Sequence, residues 1–216
     1  MTIAPWSFSK IKAFEQCPKQ FYHMKILKQY EEKETEAMLY GTHFHSAAEE
    51  YIKNCTPMPG RFDYAVGVLD SLQAKQGKKL CEYRLGLTLE LEPCGFSDKD
   101  VWFRGIADLI ILNDDLAWVV DYKTGKSARY ADKGQLELMA LAAFKHFPEV
   151  EEVRAGLLFV VSKNLNGWQT IVRWNQPQLM MCGTLAQAGC VEGIARLPSA
   201  LTMGGTNAVH EIPSTI

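Results

Sequence analysis

No two cysteines of this 216-residue chain stand in a CxxC pair; the six, Cys17, Cys55, Cys81, Cys94, Cys182 and Cys190, are scattered along it. Spacing of that kind builds neither a zinc ribbon nor the dense disulfide framework of a small secreted domain, and it suits reduced thiols. Histidine is scarce too, with five residues, so a zinc hydrolase built on His43-x-His45 would be short of ligands. Nowhere does an apolar run reach 18 residues, which argues against a membrane-spanning helix. The opening MTIAPWSFSK lacks the basic-then-apolar order of a secretory signal. Charge of one sign is also lacking: 23 Lys and Arg face 25 Asp and Glu, a formal net charge of -2. Such a balance does not coat nucleic acid by bulk charge, although a local basic face can coexist with it. The stretch TGKS (124–127) has Val120 where a phosphate-binding P-loop needs glycine, so that motif fails. These absences lead us to expect a soluble cytoplasmic protein without a membrane partner.

What is present is a core. With 47% hydrophobic residues, a chain of this length buries enough surface to hold one domain without staples. WSFSKIKAFEQCPKQFYHMKIL begins with Ser7 or Ser9 as a helix cap, spaces Ile11, Phe14, Phe21 and Met24 helically, and breaks and restarts at Pro18. The acidic run EEKETE reads as a solvated linker or a helix start. GTHFHSAAEEYI, from Gly41, and FDYAVGVLDSLQAKQG read as two further helices. The period then changes. RLGLTLELEP alternates as a half-buried strand does, while VWFRGIADLIIL and LAWVVDYKT are dense enough for central strands. Asn113 to Asp115 is a turn signal that joins these last two into an antiparallel hairpin. GQLELMALAAFKHF returns to helix, RAGLLFVVS and GWQTIVRWN give two strands around the turn KNLNG, and QPQLMMCGTLAQAGCVEGIARL reads as a last helix. The expected fold class is therefore α/β, a mixed central sheet flanked by helices. Its parts are a mainly helical region over 7–80, a sheet core over 81–175, a C-terminal helix over 176–198 and a mobile tail over 201–216.

Two carboxylates stand where strands should be apolar. Asp108 interrupts GIADLII and Asp121 ends WVVD, and an ionised carboxylate is costly there unless it is paired or bound to metal. A hairpin centred near residue 114 places positions 108 and 121 nearly opposite each other. A divalent cation between them would turn repulsion into binding, and hard oxygen ligands suit magnesium or manganese. Lys123 lies two residues past Asp121, so strand geometry sends both side chains to one face while Tyr122 points away. An ammonium there either pairs with Asp121 as a plain ion pair or serves phosphate chemistry.

Asp108 followed thirteen residues later by DYK resembles the D...(D/E)xK signature of the PD-(D/E)XK nuclease superfamily. Three further segments narrow the resemblance to its RecB-type members. SFSKIKAFEQCPKQF is similar to their SxSxLxxFxxCPxxF opening, through Ser7, Ser9, Ile11, Phe14, Cys17, Pro18 and Phe21. GTHFHSAAE is similar to their GTxxHxxxE segment, with His45 in the histidine place and Glu49 one turn on. GQLELMALA is similar to their QxxxY helix, beginning at Gln135, although the tyrosine place holds Met139. The segments come in the family's order across roughly residues 7 to 175.

The resemblance implies a restriction-endonuclease-like fold and a metal-dependent deoxyribonuclease. His45, Asp108, Asp121 and the main-chain carbonyl of Tyr122 would then hold Mg2+ or Mn2+. Lys123 would serve the chemistry, Gln135 would reach the site or a nearby phosphate, and Glu49 would orient His45 or meet the ion through water. Lys126, Arg129 and Lys133, in GKSARYADKG, would meet the DNA backbone by charge. A stand-alone RecB-like exonuclease of recombination, repair or phage DNA processing, acting on single- or double-stranded DNA with a recombination or single-strand-binding protein as partner, is the leading expectation. A structure-specific endonuclease and a DNA-binding or structural module without activity are the alternatives. Some relatives carry an iron-sulfur cluster on the cysteine equivalent to Cys17 plus three near the C-terminus. Here that region offers only Cys182 and Cys190, and four thiolates are needed, so no cluster is expected and Cys17 is read as a buried thiol between helices.

Overall fold

The computed structural model describes residues 5–31, 33–125, 133–161 and 164–173, with the backbone alone given for residues 133 and 164–168. Six strands form one sheet in the order β2-β1-β3-β4-β5-β6. They are β1 (Lys78–Thr88), β2 (Pro93–Cys94), β3 (Val101–Asn113), β4 (Leu116–Lys123), β5 (Glu152–Phe159) and β6 (Asn164–Val172). All neighbouring pairs are antiparallel except β4 and β5. A parallel pair needs a long crossover, and helix α5 (Lys133–His146) provides it. Among the described residues four α-helices precede the sheet: α1 (Phe8–Gln16), α2 (Pro18–Phe21), which a π-helical turn over Tyr22–Ile26 continues, α3 (Glu36–Asn54) and α4 (Val66–Gln73). Among the described residues no helix is long and apolar enough to cross a membrane.

Each face of the sheet carries its own core. On one, Trp6, Phe14 and Phe21 join the apolar residues of α5 and Phe103, Val119 and Leu157 of the sheet. On the other, Phe44, Ala48 and Ile52 of α3 and Leu69 and Leu72 of α4 pack against Leu109, Val120, Tyr122 and Leu158. This mixed sheet, helical on both faces, is the restriction-endonuclease-like arrangement expected from the sequence. Helix α3 adheres through positions 44, 48 and 52, one stripe at i, i+4 and i+8. The Phe44 ring meets Phe62 at 5.3 Å and Tyr122 at 5.8 Å, both edge-on, and such pairs add about 0.5–1.5 kcal/mol each beyond their area. His45, next on the helix, is thereby carried to the rim of the buried stripe.

Local signals set most element ends. Ser7 caps α1 through its side chain, which accepts from the Lys10 N–H, and Cys17 Sγ caps α2 by accepting from Gln20 N–H, with Pro18 at the first helical position. Cys17 is half-buried rather than enclosed, because its sulfur serves this exposed helix end. Several boundaries differ from expectation. Helix α3 starts at Glu36, capped by Thr35, so the end of EEKETE is helix. The third helix enters through a 3-10 turn over Gly60–Ala65. Strand β1 begins at Lys78, six residues before the alternating stretch, because the ladder to β3 carries it into polar sequence. Likewise β6 starts at Asn164, inside the expected turn KNLNG, where pairing with β5 outweighs the residues' turn preference. The helix expected over 176–198, the tail, Cys182 and Cys190 lie outside the described residues.

Alternation fails at one level of the sheet. In β1, Tyr83, Leu85 and Leu87 face the first core together with Leu80, but Cys81 faces the second. In β3, Phe103 and Ala107 share the first core with Ile110, while Leu109 and Ile111 face the second. Both strands therefore change face at Glu82 and Asp108. Glu82 marks the point with φ +47, a left-handed conformation that costs an L-residue about 1–2 kcal/mol.

Candidate metal centre

The β3–β4 hairpin runs from Asn113↔Leu116 to Leu109↔Val120. Continued one step, the register would set Asp108 opposite Asp121, as the sequence predicts, but there the strands part. Beyond the fork β4 follows β5 alone, and Trp6 takes its place beside β3, its N–H donating to Trp102 O and its carbonyl accepting from Arg104 N–H. Parting leaves the Tyr122 N–H without a strand partner. Asp108 Oδ2 accepts it at 2.5 Å, which gives the buried carboxylate a structural task as well as a chemical one.

Asp108 Oδ1 faces His45 Nδ1 at 3.0 Å, and Glu82 Oε1 lies 3.9 Å from the same nitrogen. One ligand atom from each of His45, Glu82 and Asp108 lies within 4.8 Å of the other two. Two carboxylates and an imidazole form a donor set that fits a hard divalent ion such as Mg2+ or Mn2+. Glu82 escapes a reading of the sequence because CEYRLG carries no motif. Its signals are register, since it stands at the level of Asp108, and the backbone kink that turns it to the α3 side.

Asp121 belongs to an adjoining group. Its Oδ1 accepts from Gln135 Nε2 at 2.6 Å, and Lys123 Nζ donates to Gln135 Oε1 at 3.3 Å. Lys123 Nζ also stands 2.6 Å from Asp121 Oδ2. That contact is an ion pair, and it opposes the rise in the Asp121 pKa. Residues 121, 123 and 135 thus close a triangle at the end of β4.

The electrostatics record the strain of gathering carboxylates. Burial, then the charge of Asp108, raises the Asp121 pKa, against the opposing pull of Lys123. Burial and Asp108 raise Glu82 as well. For His45, burial lowers the pKa, but the hydrogen bond its ring donates to Asp108 and the charges of Asp108, Asp121 and Glu82 together outweigh it, and the net shift is upward. All three groups hold protons more tightly than usual. A proton and a divalent cation compete for the same atoms, so binding a cation releases protons.

Around the cluster opens a groove of about 720 Å³ between α3 and strands β1 and β3, lined in part by His45, Glu49, Lys53, Glu82, Arg84 and Ile106. Glu49 is on its wall, where its carboxylate is engaged by Lys53 one turn on. His43 is exposed and outside the cluster. Met139, in the family's tyrosine place, is buried in the first core. Lys126 and Arg129 lie outside the described residues, as does the side chain of Lys133.

Among curated proteins none matches this sequence. Among solved structures, a candidate exonuclease from Eubacterium rectale is similar at 11% identity and TM-score 0.48, covering 98% of this chain and 91% of its own. The structure of SSO0001 is similar at 14% identity and TM-score 0.43, covering 85% and 75% respectively. The sequence itself matches one family along most of its length, residues 5–196, and on that match the chain belongs to the PD-(D/E)XK nuclease superfamily.

Proposed function

We propose that this chain is a metal-dependent deoxyribonuclease of RecB-like type, most readily an exonuclease that hydrolyses phosphodiester bonds and leaves 5'-phosphates. The observation that carries the proposal is the Asp121–Lys123–Gln135 triangle set beside the His45–Glu82–Asp108 cluster. A purely structural ion pair on β4 would need neither the glutamine from α5 nor three more ionisable groups at its side.

His45, Glu82 and Asp108 would hold Mg2+ or Mn2+, with Asp121 and the Tyr122 carbonyl as further ligands. Such an ion, when bound, acidifies water and stabilises charge on phosphoryl oxygens. The remaining work belongs to side chains. Lys123 would orient the attacking water and offset the charge that grows on the phosphate as the water oxygen bonds to phosphorus and the bond to the 3' oxygen breaks. Gln135 would hold both Asp121 and Lys123 in register, a positioning role. Glu49 and Lys53 line the approach to the cluster, within reach of an incoming strand.

End-labelled linear, circular and single-stranded DNA incubated with Mg2+ or Mn2+ tests the proposal. Cleavage should require the metal and be lost in Asp121→Asn. Unimpaired cleavage by that variant would remove the site from the reaction, and metal-independent DNA retention without cleavage would leave a binding module.

A further inference from the structure

From the candidate metal cluster, one face of β1 and β3 continues outward beyond α3. Residues opposite each other on antiparallel strands share a face, as do residues two apart. The register pairs Arg84 with Ile106 and Gly86 with Arg104, so both pairs follow Glu82 and Asp108 in two-residue steps. At about 3.3 Å per residue, Arg84 starts roughly 7 Å and Arg104 roughly 13 Å along the strands from the carboxylates.

Beside these arginines lies an aromatic ring. A Cβ on Gly86 would stand 2.7 Å from Cys94 O and 3.0 Å from Gly95 O, so the chain after β2 crosses directly over that glycine. The crossing places Phe96 within reach of both guanidinium groups, 5.4 Å from Arg84 and 5.1 Å from Arg104. Neither arginine has an ion-pair partner among the described residues, and Arg104 Nε is buried without a hydrogen-bond acceptor. On that loop, one oxygen of Asp98 accepts from the Gly95 N–H at 2.6 Å. Lys10 adds to the positive charge: burial, then Arg104 and Lys25, lowers its pKa. Between the two arginines Ile106 is 43% exposed, an apolar contact in an otherwise cationic strip.

We infer that Arg84, Arg104, Phe96 and Ile106 form a track for one nucleic-acid strand, which holds the phosphates adjoining the bond to be cut. The inference rests on the nuclease reading and deepens it. A guanidinium with no acidic partner suits phosphate better than a carboxylate-rich protein surface, and a strip two strands wide, about 10 Å, accommodates one backbone. Phe96 restricts both guanidinium groups, which leaves their donor edges for phosphate oxygens. Ile106 supplies the apolar contact for a sugar.

Binding of a fluorescent single-stranded oligonucleotide to the full-length chain in EDTA, where metal-dependent cleavage is stopped, tests the track. Arg84→Glu should weaken binding at least tenfold at about 0.1 M salt, and Arg84→Ala should lower the slope of log affinity against log salt by about 0.7. Arg104→Gln should do the same, with circular dichroism checking its fold; Arg84 is exposed, so its variants carry the test if Arg104→Gln does not fold. Manganese binding, read by thermal shift, should be retained in Arg84→Ala and Arg104→Gln. During turnover KM should rise while kcat at saturating substrate is kept. Wild-type affinity and salt slope in the Arg84 variants would overturn the track even if the protein cleaves DNA. A wild-type protein that binds the oligonucleotide through these arginines yet never cleaves would instead overturn the nuclease reading.

Discussion

Replacing Asp108 by asparagine should leave the metal-free fold close to its original stability and abolish its stabilisation by metal. The carboxylate does two opposed things in the absence of a cation. It accepts the Tyr122 N–H at the strand fork and pairs with His45, and it repels Glu82 and Asp121, whose pKa values it helps to raise. Asparagine keeps one acceptor oxygen for Tyr122 and removes the repulsion, which offsets the lost pairing with His45. Alanine keeps no acceptor, and a buried donor without one costs about 1–3 kcal/mol. For a chain of this size each kcal/mol moves the Tm by about 3 °C. Asp108→Ala should therefore melt about 3–9 °C below wild type in EDTA, and Asp108→Asn within a few degrees of it. Metal at a hundredfold excess over its Kd should add about 2.7 kcal/mol to wild type, roughly 8 °C, and little to either variant. Differential scanning fluorimetry with and without Mn2+ reads all of this. An asparagine variant that melts as low as the alanine variant, or keeps the full manganese shift, would refute the reasoning.

Three further outcomes are expected. Because the folded-state pKa of His45 is raised above the ordinary 6.5, its stabilising contribution is complete below that value and is lost as pH rises through the folded value; the Tm difference between wild type and His45→Gln in EDTA should shrink from pH 6 upward, and a difference that grows would contradict it. Raised Glu82 and Asp121 act with the same sign at lower pH, from the ordinary carboxylate range upward. Gly86→Ala should destabilise by more than Gly105→Ala, since the added methyl meets backbone carbonyls at 2.7 and 3.0 Å in the first case and the yielding Met139 Sδ at 2.6 Å in the second; overpacking of the second kind costs about 1–3 kcal/mol, and denaturant midpoints would compare the two. Lys123→Ala should lower kcat on end-labelled DNA by on the order of 10²–10³, with a smaller change in KM, and an equal fall in affinity with kcat intact would assign Lys123 to binding alone.

The site was legible where chemistry repeats at fixed spacing. Asp121 and Lys123 stand on one strand two residues apart, and the hairpin turn puts Asp108 at their level, so a period and a turn signal located both. Gln135 was placed beside them only by the resemblance of GQLELMALA to the family's QxxxY helix, for α5 begins at Lys133, ten residues after β4 ends. Glu82 was illegible for the opposite reason: its place depends on a register between β1 and β3 and on a left-handed kink, and neither has a local signature. The same cause hid the start of β1 in KKLCEY, where partner strands rather than propensity keep the chain extended. Helix α3 was read from Gly41 because its apolar stripe starts near there, whereas Thr35 and Glu36, which set its true start, look like linker.

Trp6 closes the fork by bonding to both neighbours of Phe103. On a ribosome that tryptophan emerges roughly a hundred residues before its partners, so the opening segment must wait, unpaired, while helices fold behind it. Contacts of such long sequence separation are made late and slowly. Docking of the segment around Trp6 would then complete the sheet, and a bulky insertion beside Trp6 would delay folding.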